Sequence, residues 1–371
     1  MNKEIILQFR EILKTTGYFS YYQAFGSGNK RFNGWHKFQD RIQEPASKLL
    51  LKLFLLEEAI SEQAIQAVLG SEVLELLQSN QIITIEAGHV KTNNLVLLSY
   101  HGIWFFCQNG LNPDVYFGTD SIALATYQHP LMGGRSLDLC AGSGIQAMIA
   151  SLYNKEAYAV EINPIAADIA KFNVHLNGLE EKVNVFNASL EDFINEDHGE
   201  FDLITFNPPL LPIPEPLFYP FVGDGGKDGL ALTKKILELY FNRLSPNGVF
   251  EFIGCGLGKD GHTYFTDDIE DIAAKFGATG YTLLTGKGQM KPGEPAFDST
   301  VVTTAAASGI SSDLASSTFQ IHMEQMDANE MYCFFVRLEK KRPEQLESMP
   351  SFRHLDLTHK IFHWYLIDTP Q

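Results

Sequence analysis

The stretch Ser136-Leu-Asp-Leu-Cys-Ala-Gly-Ser-Gly144 decides the fold. It is a short apolar strand running into a glycine-rich turn, and a stretch of helical character follows from Ile145 to Tyr153. Next comes Ala157-Tyr-Ala-Val-Glu161, a second strand that ends in an acid. Gly142 and Gly144 allow a tight turn and close approach of the backbone to a ligand. Glu161, at the tip of the second strand, is placed to accept both hydroxyls of a ribose. A glycine-rich turn alone carries little weight. Strand, turn, helix, strand and acid in series carry much more. The alternation continues outward, with strands predicted at 135–139, 157–161, 183–187, 201–206 and 248–254 and helices at 145–153, 164–177, 190–195 and 229–243. That order predicts an α/β architecture, a Rossmann-like doubly wound sheet.

The fourth strand of this series, Phe201-Asp-Leu-Ile-Thr-Phe-Asn-Pro-Pro209, ends in a proline pair. Proline cannot donate to a sheet ladder, so the strand stops there. It delivers the Asn207 side chain and the Pro208 carbonyl to its carboxyl end, where ligands bind in open α/β sheets. An Asn oxygen beside a rigid carbonyl can accept both N–H bonds of a planar amino or amide group. Asn207 and Pro208 are therefore the candidate catalytic residues. The bland alternative is a rigid turn with no chemical role. The loop that follows, Leu210 to Phe221, is rich in proline and apolar residues and is expected to form one wall of an acceptor pocket. Pro209, Leu210, Phe218 and Tyr219 are the candidate substrate contacts.

Together Asp138-x-Cys-x-Gly-x-Gly144, Glu161 and Asn207-Pro-Pro209 resemble the class I S-adenosylmethionine-dependent methyltransferases. The closest pattern is the amino-methylating branch, which includes glutamine N5-methyltransferases acting on proteins and adenine or guanine N-methyltransferases. Asp224-Gly-Gly-Lys-Asp-Gly-Leu230 also looks like this branch. The resemblance covers roughly residues 112 to 260. It implies S-adenosyl-L-methionine as cofactor, with Cys140, Gly142, Gly144, Glu161, Ser189 and Asn207 on the donor side and Asp138 either structural or touching the donor's amino acid through the loop. Cys140 stands where the family has its first glycine. Tyr116-Phe-Gly-Thr-Asp-Ser121 is similar to the family segment that lines the donor pocket, which adds Asp120 and Ser121. Those two also fit a plain helix cap. Two departures stand out. Leu210 replaces the aromatic residue that usually follows the proline pair and stacks on a planar substrate. Ser189 stands where an acid often holds the adenine amino group. The first departure disfavours a nucleobase acceptor and points to a small molecule or peptide. Glutamine methylation in a protein is the alternative.

The chain has 371 residues, 45% of them hydrophobic, and a formal charge of −17. Nucleic-acid binding draws most of its affinity from phosphate neutralisation, so this balance argues against DNA or RNA. Cys107, Cys140, Cys255 and Cys333 are widely spaced and show no metal-ligand pattern, so no metal is expected. They read as reduced thiols of a cytoplasmic protein. No signal peptide or membrane-length apolar run is expected, and oligomeric state is left open. Residues 1–110 predict a separate unit: a helix over 46–59, helices opening at Ser61 and Ser71, then a hairpin over 81–98 around Ala87-Gly88. Helix, turn, helix, hairpin is a winged-helix-like order. A DNA-binding regulator with a ligand-sensing Rossmann domain is thus a further alternative, set against a substrate lid or docking unit. Glu72 and Glu75 on the third helix favour the latter. An aromatic segment, Tyr18 to Trp35, suits either a lid or simple packing. The methyltransferase domain is read as 111–340. It closes with an antiparallel hairpin from Tyr281–Leu284 and Met331–Leu338, with residues 287–318 as an inserted flap. A tail, 341–371, is expected to pack on the core.

Overall fold

The computed structural model describes residues 1–26, 39–110, 112–341 and 353–356, with side chains described outside 23–26, 40 and 353–356. Residues 27–38, which hold the end of the aromatic segment at Trp35, and all of the 341–371 tail except 341 and 353–356 lie outside the described residues.

The N-terminal third builds from short capped helices. Helix α1 (Lys3–Thr15) starts at Asn2, whose side chain accepts the Glu4 N–H, and α2 (Tyr18–Gly26) follows a turn at Gly17. Helix α3 (Pro45–Phe54) leads to strand β1 (Ile60–Ser61). Ser61 caps α4 (Glu62–Leu69), as its position predicts, and Gly70, at φ 79°, separates α4 from α5 (Ser71–Ser79). Strands β2 (Ile83–Glu86) and β3 (His89–Thr92) turn through Ala87-Gly88, both in the left-handed region, and β1 adds to β3 as a third strand.

The predicted second strand does not run on to Leu98. It breaks at Asn94, also left-handed, and a separate hairpin begins. Strand β4 (Leu95–Tyr100) turns at His101-Gly102 into β5 (Ile103–Gln108). Both strands are almost wholly buried. The free edge of β5 is closed by side chains. In the helix Pro164–Leu176 and its C-cap, Asn173 and Asn177 each present an amide to one residue of the strand, as a paired strand would. Asn173 accepts the Phe106 N–H at 2.7 Å and donates to its carbonyl at 3.0 Å, and Asn177 does the same for Trp104 at 2.9 and 2.6 Å. Edge amides that would otherwise be buried without partners are thereby satisfied.

Helix α6 (Thr119–Tyr127) leads into the main sheet. Its parallel strands are β6 (Arg135–Leu139), β7 (Glu156–Glu161), β8 (Val183–Asn187), β9 (Phe201–Phe206) and β10 (Leu244–Lys259). Helices α7 (Ile145–Ala150), α8 (Pro164–Leu176), α9 (Leu190–Asn195) and α10 (Ala231–Tyr240) make the crossovers, close to the predicted spans. A two-residue strand, β11 (His262–Thr263), and α11 (Tyr264–Phe276) lead to β12 (Ala278–Gln289). Strand β13 (Glu330–Lys340) then inserts antiparallel between β10 and β12, and β14 (Arg353–Asp356) flanks β12, giving the order β14-β12-β13-β10-β9-β6-β7-β8. This is the doubly wound sheet with its predicted antiparallel end. Residues 287–318 are not a flap. They hold α12 (Pro295–Ser308) and the first half of α13 (Ser312–Gln325), a packed helix pair.

Three apolar clusters surround the sheet. One joins α7 and α8 to the N-terminal helices and the β4–β5 hairpin, so the core does not divide at residue 110. Tyr18 and Tyr22 are fully buried in it, the Tyr18 hydroxyl donates to the Leu97 carbonyl, and Phe19 stacks on Trp104 with centroids 4.2 Å apart. These aromatics pack; they do not face a pocket. The second cluster lies under α10 and α11. The third packs α12 and α13, through Phe297, Val301, Phe319 and Met323, against the ends of β10 and β13. Among the described residues no helix is long and apolar enough to cross a membrane.

Candidate active site

Strand register aligns the candidate residues. Leu139 of β6 pairs with Val160 of β7 on one side and with Phe206 of β9 on the other. Cys140, Glu161 and Asn207 each follow one residue later, so they form a row across three adjacent strands at their carboxyl ends. Neighbouring strands lie about 4.8 Å apart, which puts Glu161 and Asn207 about 10 Å from each other with the glycine-rich turn between them.

That turn alternates in hand. Cys140, Gly142 and Gly144 have φ of 58°, 52° and 78°, while Ala141 and Ser143 do not enter the left-handed region. The alternation folds the turn onto its own partners: the Ala141 N–H donates to the Val160 carbonyl at 3.1 Å and the Gly144 N–H to the Ala141 carbonyl at 2.8 Å. A Cβ on Gly144 would also make a tight contact, 3.2 Å, with the Ala170 methyl on α8. Glu161 is buried, and both carboxylate oxygens are held by backbone: Oε2 accepts the Gly142 N–H and Oε1 the Asn163 N–H, each at 2.8 Å. Burial raises its pKa against the opposing pull of these bonds. A carboxylate has about four acceptor sites, which gives Glu161 capacity for a vicinal diol besides these bonds. Asp138 serves differently. It is buried between β6 and β9 and accepts from the Thr205 hydroxyl at 2.9 Å, and burial pushes its carboxyl up to about 7. Ser189 caps α9: its hydroxyl accepts the Asp192 N–H at 3.0 Å and donates to the Asp192 carboxylate at 2.7 Å.

Asn207 is anchored at one end of its amide only. Nδ2 donates to Asp120 Oδ2 at 3.1 Å and to Ser121 Oγ at 3.3 Å, whereas Oδ1 is buried and has no hydrogen-bond partner. Asp120 and Ser121, read from the sequence as donor contacts or a cap, thus meet the catalytic candidate directly. Ser121 Oγ also accepts the Gly118 N–H, so part of the capping reading holds too. Two further residues take part. Tyr116 donates to Asp120 Oδ1 at 2.7 Å, and Gln146 Nε2 donates to the Ser121 carbonyl at 2.7 Å. Neither was singled out from sequence. Tyr116 had a visible signal, since it lies four residues before Asp120, but the contact spans an irregular segment that no periodicity encodes.

The loop after the proline pair is fastened by the glycine motif at 224–230. Leu211 N–H donates to the Gly223 carbonyl, and the Leu211 carbonyl accepts the Gly225 N–H. A Cβ on Gly229 would lie 2.7 Å from the Leu210 carbonyl oxygen and 2.6 Å from that of Cys255. The motif therefore presses backbone on backbone behind the proline pair. Pro208 is buried and Pro209 half-buried. Leu210 is only 8% exposed and belongs to the cluster with α12 and α13, so it is a packing residue and not an open stacking platform. Phe218 and Phe221 are exposed, at 69% and 67%, and Tyr219 is half-buried against Gly223.

Residues 116–212 match the family described as ribosomal protein L11 methyltransferase (PrmA). The chain is 35% identical over 145 residues to a ribosomal protein uL3 glutamine methyltransferase of Bradyrhizobium diazoefficiens, an overlap of 36% of this chain and 45% of the relative. It is 31% identical over 159 residues to a Methanocaldococcus jannaschii protein named "Putative protein N5-glutamine methyltransferase", covering 41% of this chain and 78% of that one. It is 36% identical over 98 residues to a tRNA1(Val) (adenine(37)-N6)-methyltransferase of Pasteurella multocida, covering 26% and 41%. The chain therefore spans less than half the length of the first and third of these relatives.

Proposed function

We propose, on the premise that this chain belongs to the class I S-adenosylmethionine-dependent methyltransferases, that it methylates an amide nitrogen, and that the amide is the side chain of a glutamine in a peptide or protein. The observation that carries this reading is the Asn207 amide. Its nitrogen is anchored, and its buried oxygen is left without a donor. A buried acceptor with no partner costs roughly 1–3 kcal/mol, a cost that a bound N–H would offset.

S-adenosylmethionine, when bound, supplies a methyl group on a positively charged sulfur. The residues that would hold it are the Cys140–Gly144 turn and the Glu161 carboxylate. An amide nitrogen is a poor nucleophile because its lone pair is delocalised into the carbonyl. Asn207 Oδ1 and the Pro208 carbonyl would each accept one of its N–H bonds, pulling the nitrogen toward tetrahedral and aiming its lone pair. Proline's fixed φ keeps that carbonyl in place with little entropy loss. Such positioning supplies much of the rate in a displacement that needs no covalent enzyme intermediate. The buried Leu210 and the formal charge of −17 support an amide over a nucleobase.

The elements α3, β1, α4, α5, β2 and β3 follow a winged-helix-like order, and we read this unit as a docking surface for the acceptor. Helix α5 exposes Glu72 and Glu75, which disfavours a place in a nucleic-acid groove. The test is transfer of tritiated methyl from S-adenosylmethionine to glutamine-containing peptides, free carboxamides and unmodified tRNA side by side. Label on the peptides is expected. Label on tRNA alone would overturn the amide reading, and tight DNA binding at low salt would overturn the docking reading.

A further inference from the structure

We propose that Asp120, held by Tyr116, is the positioning residue that fixes which way the Asn207 amide faces, and that positions 120 and 207 form an exchangeable acid–amide pair. The inference rests on the methyl-transfer reading of the site and goes beyond it by assigning Asp120 to the acceptor side. The sequence pattern had placed it with the donor.

An Asn side chain has two faces of nearly equal shape. If the amide turned over, its oxygen would face the Asp120 carboxylate, two acceptors with no proton between them. With the nitrogen inward, Nδ2 donates to Asp120 Oδ2 at 3.1 Å and to Ser121 Oγ at 3.3 Å, and the oxygen points away with no partner. Donation to a carboxylate is charge-assisted, and it shifts electron density toward Oδ1, which makes that oxygen a better acceptor. Asp120 is itself fixed by Tyr116, whose hydroxyl donates to Oδ1 at 2.7 Å. The bond passes across the α-carbon of Gly118. A Cβ there would stand 2.1 Å from the Tyr116 oxygen and 2.6 Å from Asp120 Oδ1, so any other residue would break the contact. Besides Tyr116, the titratable group that senses Asp120 is the buried Cys255 thiol of β10, which is raised by Cys333 and by burial first and by the Asp120 charge in addition.

The pair can be exchanged on paper without losing a bond. In D120N/N207D, the new amide nitrogen at 120 donates to the new carboxylate at 207, Tyr116 still finds an oxygen at 120, and position 207 still presents an oxygen to the acceptor. In N207D alone two carboxylates face each other. In D120N alone two amides meet, and either orientation of Asn207 is allowed.

The experiment is this four-member cycle, with three readouts. Thermal melting at pH 8 and at pH 4 needs no acceptor: N207D should melt about 2–4 °C below wild type at pH 8, the gap should close at pH 4 where one carboxyl is protonated, and the double variant should recover at both. Calorimetry with S-adenosylmethionine should give the same affinity for all four proteins. Turnover on a glutamine-containing peptide should fall about tenfold or more in kcat for each single variant and recover in the double variant. Equal melting of N207D and the double variant at pH 8 would overturn the pairing. Loss of S-adenosylmethionine affinity in D120N that N207D does not restore would return Asp120 to the donor side and overturn the proposal. An intact melting cycle with no label in any variant would sink the methyl-transfer reading and leave the pairing standing.

Discussion

Asn207 shows what one residue owes to its surroundings. The sequence marks it by the two prolines that follow, but only the folded chain shows that its nitrogen is spoken for and its oxygen is free. Asn207→Ala removes that acceptor. If the bond strengthens in the transition state, the loss is about 2–4 kcal/mol, or roughly thirty- to a thousandfold in kcat, with donor affinity unchanged. Rapid-quench turnover on a labelled peptide, beside calorimetry with S-adenosylmethionine, checks both halves of that expectation. Asp138 makes a different point. It was quoted as part of the donor motif, yet it is buried and tied to Thr205 across the strands. Its carboxyl, ordinarily near 3.8, is raised to about 7 by burial. The unfolded chain therefore releases this proton first as pH rises. The stability that protonated Asp138 contributes is complete below about pH 4 and is lost as pH climbs through about 7. Asp138→Asn should flatten the decline in melting temperature between pH 5 and 8. Parallel curves for the two proteins would show that Asp138 does not titrate in that range. Cys140 was legible only as an oddity, a cysteine where a glycine is usual. Its φ of 58° gives the reason glycine is usual, since a side chain pays to sit in the left-handed region.

At the scale of elements, the parallel strands were legible because they are short runs between turn signals, and β6, β7, β9 and β10 are buried on both faces, while the edge strand β8 is only partly covered. The helix pair α12–α13 was not. Its sequence is rich in Ser, Thr and Ala, and the segment around it in Gly, a composition that usually marks loops. The helices form because they bury Phe297, Val301, Phe319 and Met323 against the sheet, with Pro295 opening α12 and Ser311 capping α13; the buried Thr300 and Thr304 hydroxyls are satisfied by carbonyls one turn earlier, at 2.9 and 2.6 Å. The β4–β5 hairpin was missed for another reason: its strands carry no polar alternation, since both faces are covered. The glycine motif at 224–230 was legible as a pattern but not as a support. Gly229, at φ 82° and wedged between two carbonyl oxygens, gives the sharpest test of that support. Gly229→Ala should destabilise the protein by about 2–4 kcal/mol in chemical denaturation and lower turnover by moving the proline pair. Wild-type stability in this variant would mean that the motif does not brace the loop.

For the whole molecule, sequence composition suggested a boundary near residue 110, and the core ignores it. Met148 and Ile169 of the sheet domain share one cluster with Phe9, Phe54 and Leu97 from the N-terminal third. A chain beginning at residue 112 would leave α7 and α8 with an uncovered apolar face. It should be recovered as aggregate or bind a hydrophobic dye strongly, and a soluble, cooperatively melting fragment would contradict the shared core. One side chain joins the two halves most directly. Asn173 holds Phe106 of the hairpin with its oxygen and nitrogen, and the same nitrogen donates to the Ser143 carbonyl in the glycine-rich turn at 3.0 Å. A ligand that stills this turn must therefore also slow the opening of a strand in the other half. Deuterium uptake at the Phe106 amide should fall when S-adenosylmethionine is added, and the effect should vanish in Asn173→Ala, so that the filling of the donor site is registered in the part of the protein that would greet the acceptor.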